Sequence, residues 1–147
     1  SGNVGDLKRQ AAEMGIWHQC YFTGFMSDED LNKFRVVADC AVFPSLYEPF
    51  GIVVLENFAA RVPVVVSDTG GFPEIVRHGK TGLVTYTNDP QSLAWGILEV
   101  LLNPEYGQWL TKNAYEDLDR RFAWDKLAQQ TDAVYGRILH ERAQVDW

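Results

Sequence analysis

The stretch PSLYEPFGIVVLENFAARVPVVVSD, from Pro44 to Asp68, decides how this sequence is read. It places Glu48 just ahead of a glycine and an apolar run, then sets a second carboxylate, Glu56, inside that run. The apolar segment from about Gly51 to Arg61 predicts a helix, and PVVVSD (Pro63–Asp68) predicts a strand buried on both faces. On that helix Glu56 has apolar residues on nearly every side, so the sequence predicts a largely buried carboxylate. A buried Glu needs a partner.

Outward from this stretch, strands and helices alternate. Upstream, Leu7, Ala11 and Met14 recur at helical spacing over about residues 5–15, and Gly15 closes the segment. CYFTGF (Cys20–Phe25) predicts a short strand, SDEDLNKFRVVAD a helix with Ser27 as N-cap and acids in its first turn, and CAVFPS a strand stopped by Pro44. Downstream, TGGFPEIVRHG predicts a Gly-Gly loop and a short helix with Pro73 near its first turn, and TGLVTY a last short strand. Helices follow over about 90–102, 104–122 and 124–142, the first two separated at Asn103–Pro104. Alternation followed by helices alone predicts an α/β fold, a Rossmann-like parallel sheet with C-terminal helices.

Composition narrows the function classes. The chain has 147 residues, 46% hydrophobic and 22% charged, which is the make-up of one globular domain. Net charge is −7, and the basic runs are no longer than Lys8–Arg9 and Arg120–Arg121, which argues against nucleic acid or an anionic membrane surface as partner. A small anion held by backbone N–H groups needs no net positive charge. Cys20 and Cys40 have neither disulfide-framework nor metal spacing and are expected as small buried thiols on strands; His18, His78 and His140 show no metal spacing either. His78 is expected as an exposed loop residue. With no signal peptide and no apolar run long enough to span a bilayer, a cytoplasmic setting is the expectation. The N-terminus SGNVGDLKRQ lacks an initiator Met, which predicts a processed chain or a piece of a longer one.

The two carboxylates flank a natural anion site. In an open parallel sheet, ligands bind at the carboxyl ends of the strands, where loops lead into helix N-termini. The first N–H groups of the helix, around Phe50 to Val53, have no intrahelical acceptor, and Gly51 admits a ligand close to the backbone. Glu48 lies before this point and Glu56 roughly 7–8 Å beyond it along the axis. A carboxylate in an apolar helix is suited to paired hydroxyl donors such as a ribose diol. The alternative reading of the spacing is a solvated Glu48 and a Glu56 paired with an arginine such as Arg77.

FPSLYEPFGIVVLENFAARVPVVVSDTGGFPEIVRHGKTGLV resembles the donor-binding core of the family-4 (group 1) retaining glycosyltransferases of GT-B fold. The likeness rests on Glu-x7-Glu, PFG, PVVVSDTGG and GKTG in family order, and extends through YFTGFMSDEDL upstream and RFAWDKLAQQT downstream. The resemblance implies that Glu48 holds the hydroxyls of the transferred sugar beside Phe50 and Gly51, that the Ile52 and Val53 N–H groups hold a diphosphate, and that Glu56 holds a ribose. Phe25 and Met26 then stand where such enzymes contact the base, or serve only as loop packing. Gly70 and Gly71 lie near the sugar or acceptor, or form only a tight turn. The ligand implied is a nucleotide-sugar, UDP-, GDP- or ADP-linked, with no cofactor and no metal, and the reaction is sugar transfer with retention of configuration.

The resemblance also implies what this chain does not carry. The G-R…K-G segment that supplies the family's phosphate cations is absent from it, as are the first two strands of the C domain and the N-terminal GT-B domain that shapes the acceptor site. Residues 1–147 are thus expected as a partial donor-binding domain, with about 1–122 as α/β core and 123–147 as C-terminal helix, inactive alone. In the family's sheet order 3-2-1-4-5-6, Tyr21–Gly24 would be strand three and Cys40–Phe43 strand four. A gap would open between them, filled by a longer polypeptide or by a second copy through pairing or strand exchange. A GT-B nucleotide-sugar epimerase and a non-catalytic nucleotide- or partner-binding module are the other classes the sequence admits.

Overall fold

Four consecutive residues of β2 (Val64–Ser67) are fully buried, and the fold is built around them. The computed structural model describes residues 4–142. β2 pairs in parallel with β1 (Ala41–Phe43) on one side, with Val42 opposite Val65, and with β3 (Leu83–Thr85) on the other, with Val66 opposite Val84. Because side chains alternate along a strand, Val64 and Val66 enter one core and Val65 the other. The first core gathers Val54 and Phe58 of α3 (Ile52–Ala60), Phe72 and Ile75 of α4 (Phe72–Ile75) and Ala114. The second gathers Leu83, Val100 of α5 (Pro90–Leu102) and Leu110 of α6 (Pro104–Phe122). Each fully buried valine is worth about 1.5–3 kcal/mol, so β2 is the anchor of the sheet. α7 (Trp124–Arg142) touches α6 but buries none of its own residues; only Leu127 is half-buried.

Helix boundaries follow local chemistry. Asp89 caps α5 by accepting from the Gln91 and Ser92 N–H groups, and Pro90 occupies its first turn. α3 ends at Arg61 in the left-handed region (φ 59°), with Val62 N donating to Asn57 O at 3.0 Å in the 6→1 bond of a Schellman end. A non-glycine there is strained, and the Arg61 guanidinium stacks 4.2 Å over the Tyr115 ring, which offsets part of the cost. At the outer edge of β3, Val84 N donates to His78 Nδ1 at 3.0 Å, and the His78 ring stacks on Trp95. His78 is exposed, as expected, and it satisfies an edge donor that would otherwise face solvent.

The chain divides into two units, residues 1–32 and 33–147. In the first, α1 (Val4–Glu13) is followed by a 3₁₀ turn (Trp17–Gln19), and Lys8 lies over the stacked rings of Trp17 and Phe22. Of the expected stripe on α1, only Ala11 is buried; Leu7 and Met14 are exposed. Ser27 opens α2 (Asp28–Val37) as an N-cap, its hydroxyl accepting from Asp30 N at 3.2 Å.

Two expectations are corrected. Residues 20–25 form no strand: the sheet consists of β1, β2 and β3, and no ladder bond reaches Cys20–Phe25 among the described residues. A strand exists only beside another strand, and β propensity alone does not hold one. The sheet order is β1-β2-β3, with β1 at one edge. Cys20 and Cys40 are half-buried and neither lies on a strand; burial and then the charge of Asp39 push the Cys40 thiol up to about 11.

Candidate functional site

The loop between β1 and α3 carries Glu48 and has no regular structure to hold it. It is tied down by the segment after β2. Ser67 Oγ donates to Ser45 O at 2.6 Å, Thr69 Oγ1 to Leu46 O at 3.3 Å, and Gly71 N to Glu48 O at 2.9 Å. The two loops lie so close that a Cβ on Gly70 would stand 1.7 Å from Glu48 O, and one on Gly71 would stand 2.3 Å from Phe50 O. Gly70 and Gly71 thus have a role beyond turning the chain. They let one loop seat directly on the backbone of the other.

Gly51 then opens α3 in the left-handed region (φ 96°), and a side chain there would strike Phe72 at 2.7 Å. The first intrahelical bond runs from Val54 N to Gly51 O at 3.0 Å, so the N–H groups of Ile52 and Val53 stand ahead of it in the first turn. Phe50 and Ile52 are exposed, and Glu48 is half-buried with no ion pair among the described residues. The start of α3 thus combines a half-buried acid in the preceding loop, two N–H groups ahead of the first intrahelical bond and the positive end of a helix dipole, which suits an anion flanked by hydroxyls.

Glu56 departs from expectation. Its side chain is 47% exposed rather than buried, because Val54, Asn57 and Phe58 take the inner face of α3 and turn Glu56 outward. Its partner is Arg35, whose Nη2 donates to Glu56 Oε2 at 2.5 Å while Arg35 itself is 9% exposed along its side chain. Arg77, the partner considered from sequence, instead pairs with Asp117 at 3.3 Å. Sequence reasoning missed Arg35, since nothing in an i to i+21 separation signals contact; the apolar setting of Glu56 was the only hint.

Glu48, Phe50, Gly51, Ile52, Val53, Gly70 and Gly71 belong to the second unit and gather around the start of α3, with Glu56 of the same unit more than one turn further along that helix. Phe25, 98% exposed, and Met26 belong to the first unit. Just after β2, Asp68 accepts from the Thr87 hydroxyl and N–H at 2.5 and 2.7 Å, and those bonds hold its carboxyl below the usual range. Among the described residues no three His, Cys, Asp or Glu side chains stand together as a metal site, and no helix is long and apolar enough to cross a membrane.

Residues 2–117 match the family described as glycosyl transferases group 1. The chain is 40% identical over 136 residues to an uncharacterized glycosyltransferase of Methanocaldococcus jannaschii, covering 92% of this chain and 35% of that one. It superposes on sucrose-phosphate synthase from Thermosynechococcus elongatus with a TM-score of 0.81 and 30% identity, covering 92% of this chain and 34% of that one. It also superposes on Anabaena HepE in complex with UDP, with a TM-score of 0.83 and 27% identity, covering 91% and 36%. The parallel sheet with flanking helices is that of the C-terminal, Rossmann-like half of the GT-B fold. The chain spans about a third of the length of the relatives it matches.

Proposed function

The chain belongs to the group 1 glycosyl transferases, and from that premise we propose that it is the donor-binding part of a family-4 retaining glycosyltransferase that takes a nucleotide-sugar. The observation that carries this reading is the Glu48 loop seated on Gly70–Gly71 at the open N-terminus of α3. In it, the Ile52 and Val53 N–H groups receive the diphosphate and stabilise the charge that develops as the leaving group departs. Glu48 accepts from hydroxyls of the sugar, with the Phe50 and Gly51 backbone alongside. Glu56 accepts from the ribose with the oxygen that Arg35 leaves open. HepE, with structures in complex with UDP and with UDP-glucose, supports a uridine-linked donor as the first to try.

The rest of the polypeptide supplies the phosphate cations and the acceptor side of the cleft in this reading, and the leaving diphosphate itself helps deprotonate the acceptor hydroxyl. No metal takes part. Calorimetric titration of the full protein with UDP-, GDP- and ADP-linked sugars tests donor binding, followed by the anomeric configuration of the product by NMR in the presence of EDTA. Binding with retention in EDTA is expected. Inversion, an epimerised nucleotide-sugar, or activity restored only by Mn²⁺ or Mg²⁺ overturns the corresponding part of the reading.

A further inference from the structure

The Glu48 loop takes its fixed points from segment 67–71, and that segment runs straight into α4. α4 has four residues, too few to hold a helix by its own hydrogen bonds. Phe72 and Ile75 bury one side of it in the core. Burial fixes its depth but leaves its rotation to polar contacts, because apolar contact has little directionality.

Those contacts come from α6. Arg121 Nη2 donates to Glu74 O at 2.6 Å and Arg121 Nη1 to Ile75 O at 3.4 Å, gripping the last carbonyls of α4. The same guanidinium donates to Asp117 Oδ2 at 2.7 Å. Asp117 is 1% exposed, and its other oxygen takes Arg120 at 2.5 Å and Arg77, just beyond α4, at 3.3 Å. One carboxylate therefore orients a planar, five-donor group whose fork spans the end of α4. At the other end of α4, Gly71 N holds Glu48 O, and Phe72 rests against Gly51.

We propose that Arg121, oriented by Asp117, is a positioning residue for recognition of the donor sugar. It sets the rotation of α4, and α4 sets the Gly70–Gly71 seat on which the Glu48 carboxylate is aimed. The inference rests on the reading that Glu48 faces the sugar and the start of α3 faces the diphosphate. The two parts of the ligand then respond differently: the sugar feels the seat, whereas the Ile52 and Val53 N–H groups are carried by α3, which β2 and α6 hold as well as α4.

The test uses Arg121→Gln and Arg121→Lys in the full protein, with Arg61→Ala as a matched lesion against Tyr115 on the same helix. Affinities for UDP-glucose and UDP are measured together with amide hydrogen exchange at Gly71 and Val66. Arg121→Gln is expected to weaken UDP-glucose on the order of tenfold or more while leaving UDP within about twofold, since small misplacement is costly only where geometry is read. Gly71 exchange should rise on the order of tenfold with Val66 unchanged. Arg121→Lys should recover part of both, and Arg61→Ala should move neither. Equal losses for the two ligands, or unchanged Gly71 exchange, overturn the inference while the donor-site reading stands. A wild-type protein that binds neither ligand removes that reading and the inference with it. If Arg121→Gln fails to fold, Asp117→Asn, which keeps the guanidinium but frees its orientation, is held to the same expectations.

Discussion

Glu48 and Glu56 lie at the two ends of one short stretch and are held by opposite means. At Glu48 the fold immobilises the main chain: its carbonyl is bound by Gly71 N, and the flanking carbonyls of Ser45 and Leu46 by Ser67 and Thr69. The carboxylate is left without an ion pair among the described residues. At Glu56 the main chain is ordinary helix, and it is the carboxylate itself that is bound, by Arg35. In the proposed reading, the first arrangement keeps an acid available for a ligand at a defined place. The second builds the acid into the protein, so that a ligand at Glu56 would have to share it with Arg35.

Adding a methyl group at Gly70 breaks the first arrangement most directly. Gly70→Ala places a Cβ 1.7 Å from Glu48 O and forces an L residue to φ +53°. Neither loop can yield without losing the hydrogen bonds that join them, so a loss of about 3 kcal/mol or more in folding stability is expected. Gly79→Ala is the control: its φ is +69°, but the nearest atom to the new Cβ is the Tyr106 hydroxyl at 3.6 Å. Backbone strain alone should cost it about 1–2 kcal/mol. Urea midpoints of the two variants decide it, and equal losses would mean that the close seat is not what Gly70 provides.

The second arrangement is challenged by Glu56→Ala. Removing the carboxylate takes a charge-assisted bond from an Arg35 side chain that is nearly buried. Because Glu56 is half-exposed and its field is screened, the expected cost is about 1–2 kcal/mol rather than that of a dry pair. UDP affinity should fall as well, by a charge-assisted bond worth about 1.5–3 kcal/mol. Stability lost with UDP affinity unchanged would assign Glu56 to the fold alone.

The contrast between these sites was half visible in the sequence. Local features were legible where the chain's own chemistry decides them: the apolar run PVVVS became β2 at Val64–Ser67, and Asn103–Pro104 divides α5 from α6. Cys20–Phe25 has a similar apolar character but stays without strand structure, since pairing is a property of neighbours and not of the segment. The burial of Glu56 was misjudged for a related reason. A helix with apolar residues all round still has an outer face, and which face is outer depends on what packs against it. Partners distant in sequence, Arg35 for Glu56 and Arg121 for α4, left no periodic trace at all.

A smaller effect on stability tests what holds the Glu48 seat from behind. Burial alone would push the Asp117 carboxyl up, but hydrogen bonds from Arg121 and Arg120 and the charges of Arg121 and Arg77 outweigh it and hold the carboxyl below its ordinary value. A carboxyl depressed in the folded state contributes stability that is present above its unfolded pKa of about 3.9 and is lost as pH falls through the folded value. The wild type should therefore lose stability below about pH 4, and Asp117→Asn should lose it less steeply while starting from a lower plateau. Asp68, depressed by the Thr87 bonds, adds a slope of the same sign to both proteins and cancels in the comparison. Parallel acid limbs in urea midpoints taken from pH 7 down would remove Asp117 from the account.

Glu48→Gln should change folding least of all. The substitution keeps the side-chain volume and leaves the Gly71–Glu48 backbone bond in place, and no ion pair among the described residues is lost. Stability should stay within about 0.5 kcal/mol of wild type, the range of ordinary surface changes. Its effect belongs to the ligand. An ionised carboxylate accepts strongly from sugar hydroxyls, whereas an amide offers one weaker acceptor and two donors. UDP-glucose should therefore bind more weakly by a charge-assisted bond of about 1.5–3 kcal/mol, with UDP unchanged. The pairing of outcomes carries the weight. A stable protein that has lost only the sugar's share of affinity means that the loop exists to present this acid, whereas equal weakening of both ligands would place Glu48 near the diphosphate. A Glu48→Gln protein that loses stability instead would make Glu48 a second Glu56, an acid used by the fold, and the contrast between them would be gone.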